Sequence, residues 1–211
     1  MNTQRVDGYK APVGVSIDDD VDSDALKVAK AASPTGVYTW DGPPTIELVS
    51  QTITWRGATW LHHILTMQGG LPGVVVIARH PDGIIVERHY RPAIDALGWE
   101  FPRGCGDPED FCDVTEAEGA LVAARRELQE ETGWVLENAE VVGTFHPDSG
   151  IENLTMYVVA GDVAGRDESI LDEMEKTDLF TFSTDEIGSM ITRGEMRDGM
   201  TLAAWALYQG R

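Results

Sequence analysis

The sequence predicts a mixed α/β fold, an α+β arrangement in which one mixed sheet is sandwiched by a few helices. Three observations lead there. Val74-Val75-Val76-Ile77 is an uninterrupted apolar run of the kind that forms a strand buried on both faces. Residues 118–132 are rich in helix formers and end at Gly133, a natural C-terminal stop. Strand-like segments outnumber helical ones and do not alternate with them, so a regular βαβ repeat is excluded.

Taken in chain order, residues 1–44 read as a weakly structured, partly flexible extension. It contains Asp18-Asp19-Asp20 and closes on Pro43-Pro44, with a short amphipathic helix considered over 23–31. Residues 45–68 form a β-rich arm. Thr45–Trp55 and Thr59–Met67 are rich in β-branched and aromatic residues and are separated by Arg56-Gly57, which predicts a hairpin. The main domain, 69–211, begins with a strand at Gly73–Arg79, a turn at His80-Pro81-Asp82-Gly83 and a strand at Ile84–Tyr90. A short strand at Trp99-Glu100-Phe101 leads into Pro102-Arg103-Gly104, followed by an acidic loop over 105–117 and the helix over 118–132. Strands are predicted at Ala139–His146, Leu154–Gly161 and Leu179–Ser183. Thr184-Asp185-Glu186 is placed to cap a short helix running to about Arg193, and Met200–Tyr208 is a closing helix.

The formal net charge of −20 makes the surface unsuited to nucleic acid or anionic lipid, so neither is an expected partner. No stretch of ~18 apolar residues would cross a membrane. The first residues lack a basic-then-apolar signal pattern, so a cytoplasmic location is expected. Cys105 and Cys112 fit neither a disulfide framework nor a zinc site and read as free thiols.

Helical geometry places Glu127 and Glu131 one turn apart on one face, with Glu130 bordering it. Like charges at that spacing destabilise a helix unless a cation neutralises them. Hard divalent cations take carboxylate oxygens and bridge them to phosphates. Glutamate-rich surface helices are common, however, and Arg126 with Glu130 could be an ordinary exposed ion pair.

The complete string Arg126-Glu127-Leu128-Gln129-Glu130-Glu131-Thr132-Gly133-Trp134 resembles the second half of the Nudix box, and Glu118 stands where the box has its earlier glutamate. The box glycine six residues before that glutamate is replaced by Cys112. Gly104, in Glu100-Phe101-Pro102-Arg103-Gly104, is its equivalent if the 105–117 loop carries an insertion of about eight residues. His89-Tyr90-Arg91-Pro92-Ala93, Asp148-Ser149-Gly150-Ile151-Glu152-Asn153 and the closing segment 194–204 resemble corresponding parts of ADP-ribose pyrophosphatases and related sugar-nucleotide hydrolases.

The resemblance implies a Nudix α/β/α sandwich and metal-dependent hydrolysis of the diphosphate of a nucleoside diphosphate linked to another moiety, such as ADP-ribose. Glu127, Glu130 and Glu131 would hold Mg2+ or Mn2+, joined by the backbone carbonyl of Arg103 and by Glu118. Arg126 would hold the glutamates in place, and Arg91 would touch the diphosphate. Glu152 is the candidate general base, with Glu130 and Asp148 as alternatives. His62, His63 and His146 are read as packing or surface residues. The resembled subgroup exchanges N-terminal strands between subunits, so a homodimer built through the arm is expected, with Trp55 and Trp60 placed to stack on a nucleobase. Two other readings remain open: a nucleotide-sensing regulatory module and a housecleaning nucleoside-triphosphate pyrophosphatase.

Overall fold

The computed structural model describes residues 29–30, 35–55, 57–167 and 177–211. The chain divides into two compact units, residues 1–35 with 50–63 and residues 36–49 with 64–211.

In the first unit, β1 (Ala29–Lys30) pairs antiparallel with the outer part of β3 (Ile46–Trp55), Ala29 opposite Thr54. This corrects the helix considered over 23–31: Ala29 and Lys30 are strand, and the rest of that segment lies outside the described residues. Gly57, with φ +80°, turns the chain from β3 into β4 (Ala58–Met67). Ser50 Oγ lies 2.8 Å from His63 Nδ1, and Thr54 Oγ1 lies 2.9 Å from Thr59 Oγ1. These polar pairs occupy cross-strand positions of the hairpin. A further strand, β2 (Thr35–Trp40), which belongs to the second unit from Gly36 on, runs through part of what reads from sequence as a weakly structured extension. All its residues but Gly36 are β-branched or aromatic, the composition that favours extended backbone.

The second unit is built on a mixed sheet with the order β11-β6-β5-β10-β9. Its strands are β5 (Gly73–His80), β6 (Gly83–Arg91), β7 (Ala96–Glu100), β8 (Arg103–Cys105), β9 (Trp134–Phe145), β10 (Met156–Arg166) and β11 (Asp178–Phe182). β5 and β10 are parallel, while β7 pairs with β6 and β8 with β5, both antiparallel. Alternation along the strands sends side chains to opposite faces. Val74, Val76, Ala78, Ile85 and Val159 pack against Ala120, Ala123, Ala124 and Leu128 of α1 (Glu116–Thr132). Val75, Ile77, Ile84, Val86 and Val158 pack with Ile187 and Met190 of α2 (Thr184–Thr192) and Ala204 of α3 (Gly199–Gln209). Helices therefore cover both faces, and the α/β/α sandwich expected from the sequence is present.

Several boundaries differ from expectation for local reasons. α1 starts at Glu116 because the Thr115 side chain accepts from the backbone N–H of Glu118, while the Glu118 carboxylate accepts from the Thr115 N–H at 2.9 Å. Ser183, not Thr184, caps α2 through the same box with Glu186. β9 starts five residues earlier than expected. Gly133 adopts φ +74°, where an added Cβ would lie 2.9 Å from the Asp167 carbonyl oxygen, so Trp134 enters the sheet at once. Asn138 at φ +48° and register shifts against β10 break the alternation that would have revealed this stretch.

Both capping boxes terminate helices that support the sandwich. Thr115→Ala and Ser183→Ala should each lower unfolding free energy by about 1 kcal/mol without changing the denaturant slope. Urea titration followed by circular dichroism checks this, and an unchanged midpoint for both would contradict the role given to the caps.

Candidate active site

The inner stripe of α1 changes chemistry along its length. Ala120, Ala123 and Ala124 face the sheet through small apolar side chains, and the same stripe continues as Glu127 and Glu131, each only 8% exposed. Buried carboxylates are costly unless charge or hydrogen bonds satisfy them. These two also lie near the C-terminal end of the helix, where the macrodipole is negative, and the last turn holds no basic residue.

β8 meets this stripe directly. It pairs with β5, placing Gly104 opposite Val74 and Arg103 opposite Val75. A Cβ on Gly104 would fall 2.0 Å from the Glu127 carboxyl group, so only glycine allows the strand to lie there. The backbone N–H of Arg103 donates to Glu131 Oε2 at 3.1 Å.

Arg126 gathers the other groups. Its Nη1 donates to Glu127 Oε1 and Glu130 Oε2, both at 3.0 Å, and its Nη2 donates to Asp110 Oδ2 at 2.8 Å and to the Cys105 carbonyl at 3.0 Å. Asp107 lies 3.8 Å from Nη2. Burial alone would make this guanidinium a stronger acid, but the hydrogen bond to Asp110 and the charges of Glu127, Asp110 and Asp107 outweigh it and raise its pKa. Four carboxylates thus surround one cation.

A second cluster borders the first. Glu100, 2% exposed, accepts from Arg91 Nη2 at 2.6 Å, Arg91 Nε at 2.9 Å and Arg103 Nη2 at 2.8 Å. Asp198, the N-cap of α3, lies 3.3 Å from Arg103 Nη2. Burial opposes the charge on Arg91, and Glu100 more than restores it. Both clusters open on a cleft of about 940 Å3 whose lining includes His89, Arg91, Arg103, Cys105, Glu127 and Glu131. Burial, then the charges of Glu127 and Asp107, push the Cys105 thiol up, so it stays protonated.

The fold brings together Arg91, Arg103, Arg126, Glu127, Glu130 and Glu131. Glu118 stands apart. It is used by the capping box, and nine residues of helix separate it from Glu127 by about 13 Å along the axis. Glu152 lines a neighbouring hollow of about 430 Å3 with His146, Asp148, Asp198 and Met200, and Arg103 borders both spaces. Trp55 and Trp60 belong to the first unit, each 41% exposed. Asp107, Asp110, Glu100 and Asp198, not expected as site residues from the sequence, join the clusters, and His89 lines the cleft. The only advance signal for the first two was that the inserted loop is acidic.

A divalent cation fits this donor set chemically, since Glu127, Glu130 and Glu131 supply hard oxygens and the Gly104 cradle leaves no room for a competing side chain. Among the described residues no three His, Cys, Asp or Glu side chains already converge on one point, because Arg126 and the Arg103 N–H hold the carboxylates individually. Ligation by all three would require side-chain rotation, and Glu130, the most exposed, is the freest to turn.

Parts of the chain are similar to known proteins. The ADP-sugar pyrophosphatase of Mus musculus is 33% identical over 88 residues, covering 42% of this chain and 37% of that protein. The RNA pyrophosphohydrolase of Caulobacter vibrioides (strain NA1000 / CB15N) is 41% identical over 73 residues, covering 34% and 36%. The chain thus spans little more than a third of the length of either relative. A crystal structure of an ADP compounds hydrolase superposes with a TM-score of 0.64 at 17% identity, covering 85% of this chain and 94% of that one, a likeness of fold. The NUDIX domain model matches residues 70–203, a span that holds the box helix, the Gly104 strand and the α3 N-terminus, and the chain belongs to the Nudix family.

Proposed function

We propose that this chain hydrolyses the pyrophosphate bond of a nucleoside diphosphate linked to a second moiety, with ADP-ribose or a related sugar nucleotide as substrate and Mg2+ or Mn2+ as cofactor. The observation that carries this reading is the burial of Glu127 against Gly104 and of Glu131 against the Arg103 backbone, beside a cleft also lined by Arg91 and Arg103. The sugar-nucleotide class is supported by the Arg91 segment and by the name of the mouse relative. The net charge of −20 argues against an RNA substrate, although one relative is named for RNA.

In this mechanism Glu127, Glu130 and Glu131 would hold the cation, with the Arg103 backbone carbonyl as a further donor. When bound, such a cation would supply a water of lowered pKa and would offset charge on the phosphate. Arg126 restrains Glu127 and Glu130, so the carboxylates stay near their working positions. Arg91 keeps Nε and Nη2 on Glu100 and presents its remaining edge to the diphosphate. Glu152 acts as the general base. Its Oε2 is buried with no hydrogen-bond partner, and its loop is pinned by bonds from Leu65 N–H to the Ile151 carbonyl at 2.8 Å and from Asn153 N–H to the Leu65 carbonyl at 2.9 Å. Glu130 and Asp148 are the alternative bases. The arm also carries exposed Trp55, Trp60 and Leu61, an apolar surface that supports association into a homodimer.

Three outcomes follow from this reading. EDTA should abolish release of nucleoside monophosphate, and Glu127→Gln and Glu131→Gln should each lower kcat by at least ~10²-fold while the protein stays folded. Activity that survives exhaustive chelation, or near-normal turnover in both variants, would refute the metal assignment. For Glu152→Gln, a large fall in kcat at little-changed KM is expected. An unchanged kcat across pH 6–9 would transfer the base to Glu130 or Asp148. Light scattering at micromolar concentration should give the mass of a dimer, and Trp60→Asp together with Leu61→Asp should shift it to the monomer. A monomeric wild type would remove the dimer.

A further inference from the structure

His89 lines the cleft, and neither metal binding nor helix packing gives its ring a task. It lies on β6, two residues before Arg91, so the two side chains leave the sheet on the same face, the face that α1 covers. Its cross-strand partner on β7 is Gly98, so no side chain stands opposite the ring on that strand. The Glu100 carboxylate reaches over Gly98, its Oε1 2.9 Å from where a Cβ would stand, and the ring borders the cleft together with Arg91, Arg103, Glu127 and Glu131.

Its polar atoms are not fully satisfied. Nδ1 is buried and has no hydrogen-bond partner. A buried polar atom without a partner costs stability, and native proteins keep few of them. Burial, then the charge of Arg91, holds the imidazole pKa below its ordinary value. Arg103 adds to this, and the opposing pull of Glu100 does not outweigh them. The ring is therefore neutral near pH 7, with one N–H to donate and one nitrogen to accept. Its χ2 torsion is broad and two-fold, so a turn of the ring can present the nitrogen to a ligand in the cleft.

The neighbouring arginines sharpen the argument. Arg91 and Arg103 commit guanidinium donors to Glu100, and Arg103 commits more to Asp198 and Met200. An anion beside Arg91 is thus left with few direct donors from these residues, and a neutral imidazole N–H adds one without adding charge.

We propose that His89 is a substrate-binding residue whose imidazole N–H donates to a non-bridging oxygen of the diphosphate beside Arg91. This rests on the reading of the cleft as a diphosphate hydrolase site and assigns to it a contact outside the box.

The test uses the full chain and two probes: ADP-ribose turnover with Mg2+, and calorimetric binding of methylenediphosphonate with Mg2+. His89→Phe fills the same space without a donor, whereas His89→Asn keeps an N–H near the Nδ1 position. His89→Phe should raise KM for ADP-ribose and Kd for methylenediphosphonate by about 10-fold each, the scale of one hydrogen bond to a charged group. Here kcat should hold, the melting temperature should not fall, and His89→Asn should recover most of the affinity. Equal affinities in wild type and His89→Phe would overturn the proposal while leaving the hydrolase reading intact. A raised KM with unchanged methylenediphosphonate binding would also overturn it, because the contact would then be to a sugar hydroxyl. A wild type that neither binds methylenediphosphonate nor turns over ADP-ribose would remove the parent reading and this inference with it.

Discussion

Two carboxylates on the sheet-facing stripe of a helix, close to its negative end, set the constraint around which the second unit is organised. Nothing in the packing of α1 calls for charge there. Ala120, Ala123, Ala124 and Leu128 already fill the interface with the sheet, all fully buried. Glu127 and Glu131 extend that stripe past the apolar core and so incur desolvation with no gain in hydrophobic burial. Their surroundings answer this cost in detail. Arg103 offers a backbone N–H to Glu131, Arg126 folds back onto Glu127 and Glu130, and Gly104 gives up its side chain so that β8 can lie beside Glu127. A structure that accommodates buried charge this closely departs from local stability rules in the way functional sites do.

The short strand β8 has little side chain to pack, yet it links three parts of the site. Pairing with β5 fixes its height against α1, and the Val76 N–H bond to the Pro102 carbonyl at 2.8 Å fixes its approach. Arg103 then reaches across to Glu100 and Asp198, which joins the end of β7 to the first turn of α3. Thr201 Oγ1 donates to Asp198 at 2.8 Å and accepts from the Phe101 N–H at 3.2 Å, so the α3 cap and the Glu100–Arg103 segment brace each other. Removing one partner from such a network would leave buried charge without compensation, which is why these residues act as a unit.

Much of the sandwich was legible in the sequence, because its strongest signals are local. The run at 74–77, the helix formers before Gly133 and the spacing of Glu127, Glu130 and Glu131 need no knowledge of distant neighbours. What escaped depended on tertiary placement. Asp110 looks like one acidic loop residue among several, and only the fold brings its carboxylate to Arg126. Glu100 reads as part of a strand-end motif, and only the pairing of β6 with β7 shows that two arginines converge on it. Glu118 shows the opposite case. Box spacing counts it among the site residues, whereas the helix start gives it a capping task with Thr115.

The charge balance of the cleft bears on how an acidic chain could accept an anionic substrate. At physiological ionic strength the Debye length is about 8 Å, so most of the −20 net charge is screened from the cleft and the nearest groups decide. Those groups include three arginines, but none is an uncommitted cation: Arg91 and Arg103 share Glu100, Arg103 also meets Asp198, and Arg126 is ringed by Asp107, Asp110, Glu127 and Glu130. The arginines therefore shape and orient more than they attract, holding directional donors in place while their charge is largely matched. A diphosphate entering against this carboxylate-rich wall would be repelled unless a cation stood between the two sets of oxygens. In the proposed mechanism the metal is thus as much a condition of substrate binding as of the chemical step. The neutral donor of His89 belongs to the same logic, since it adds directionality at a place where the charges already balance.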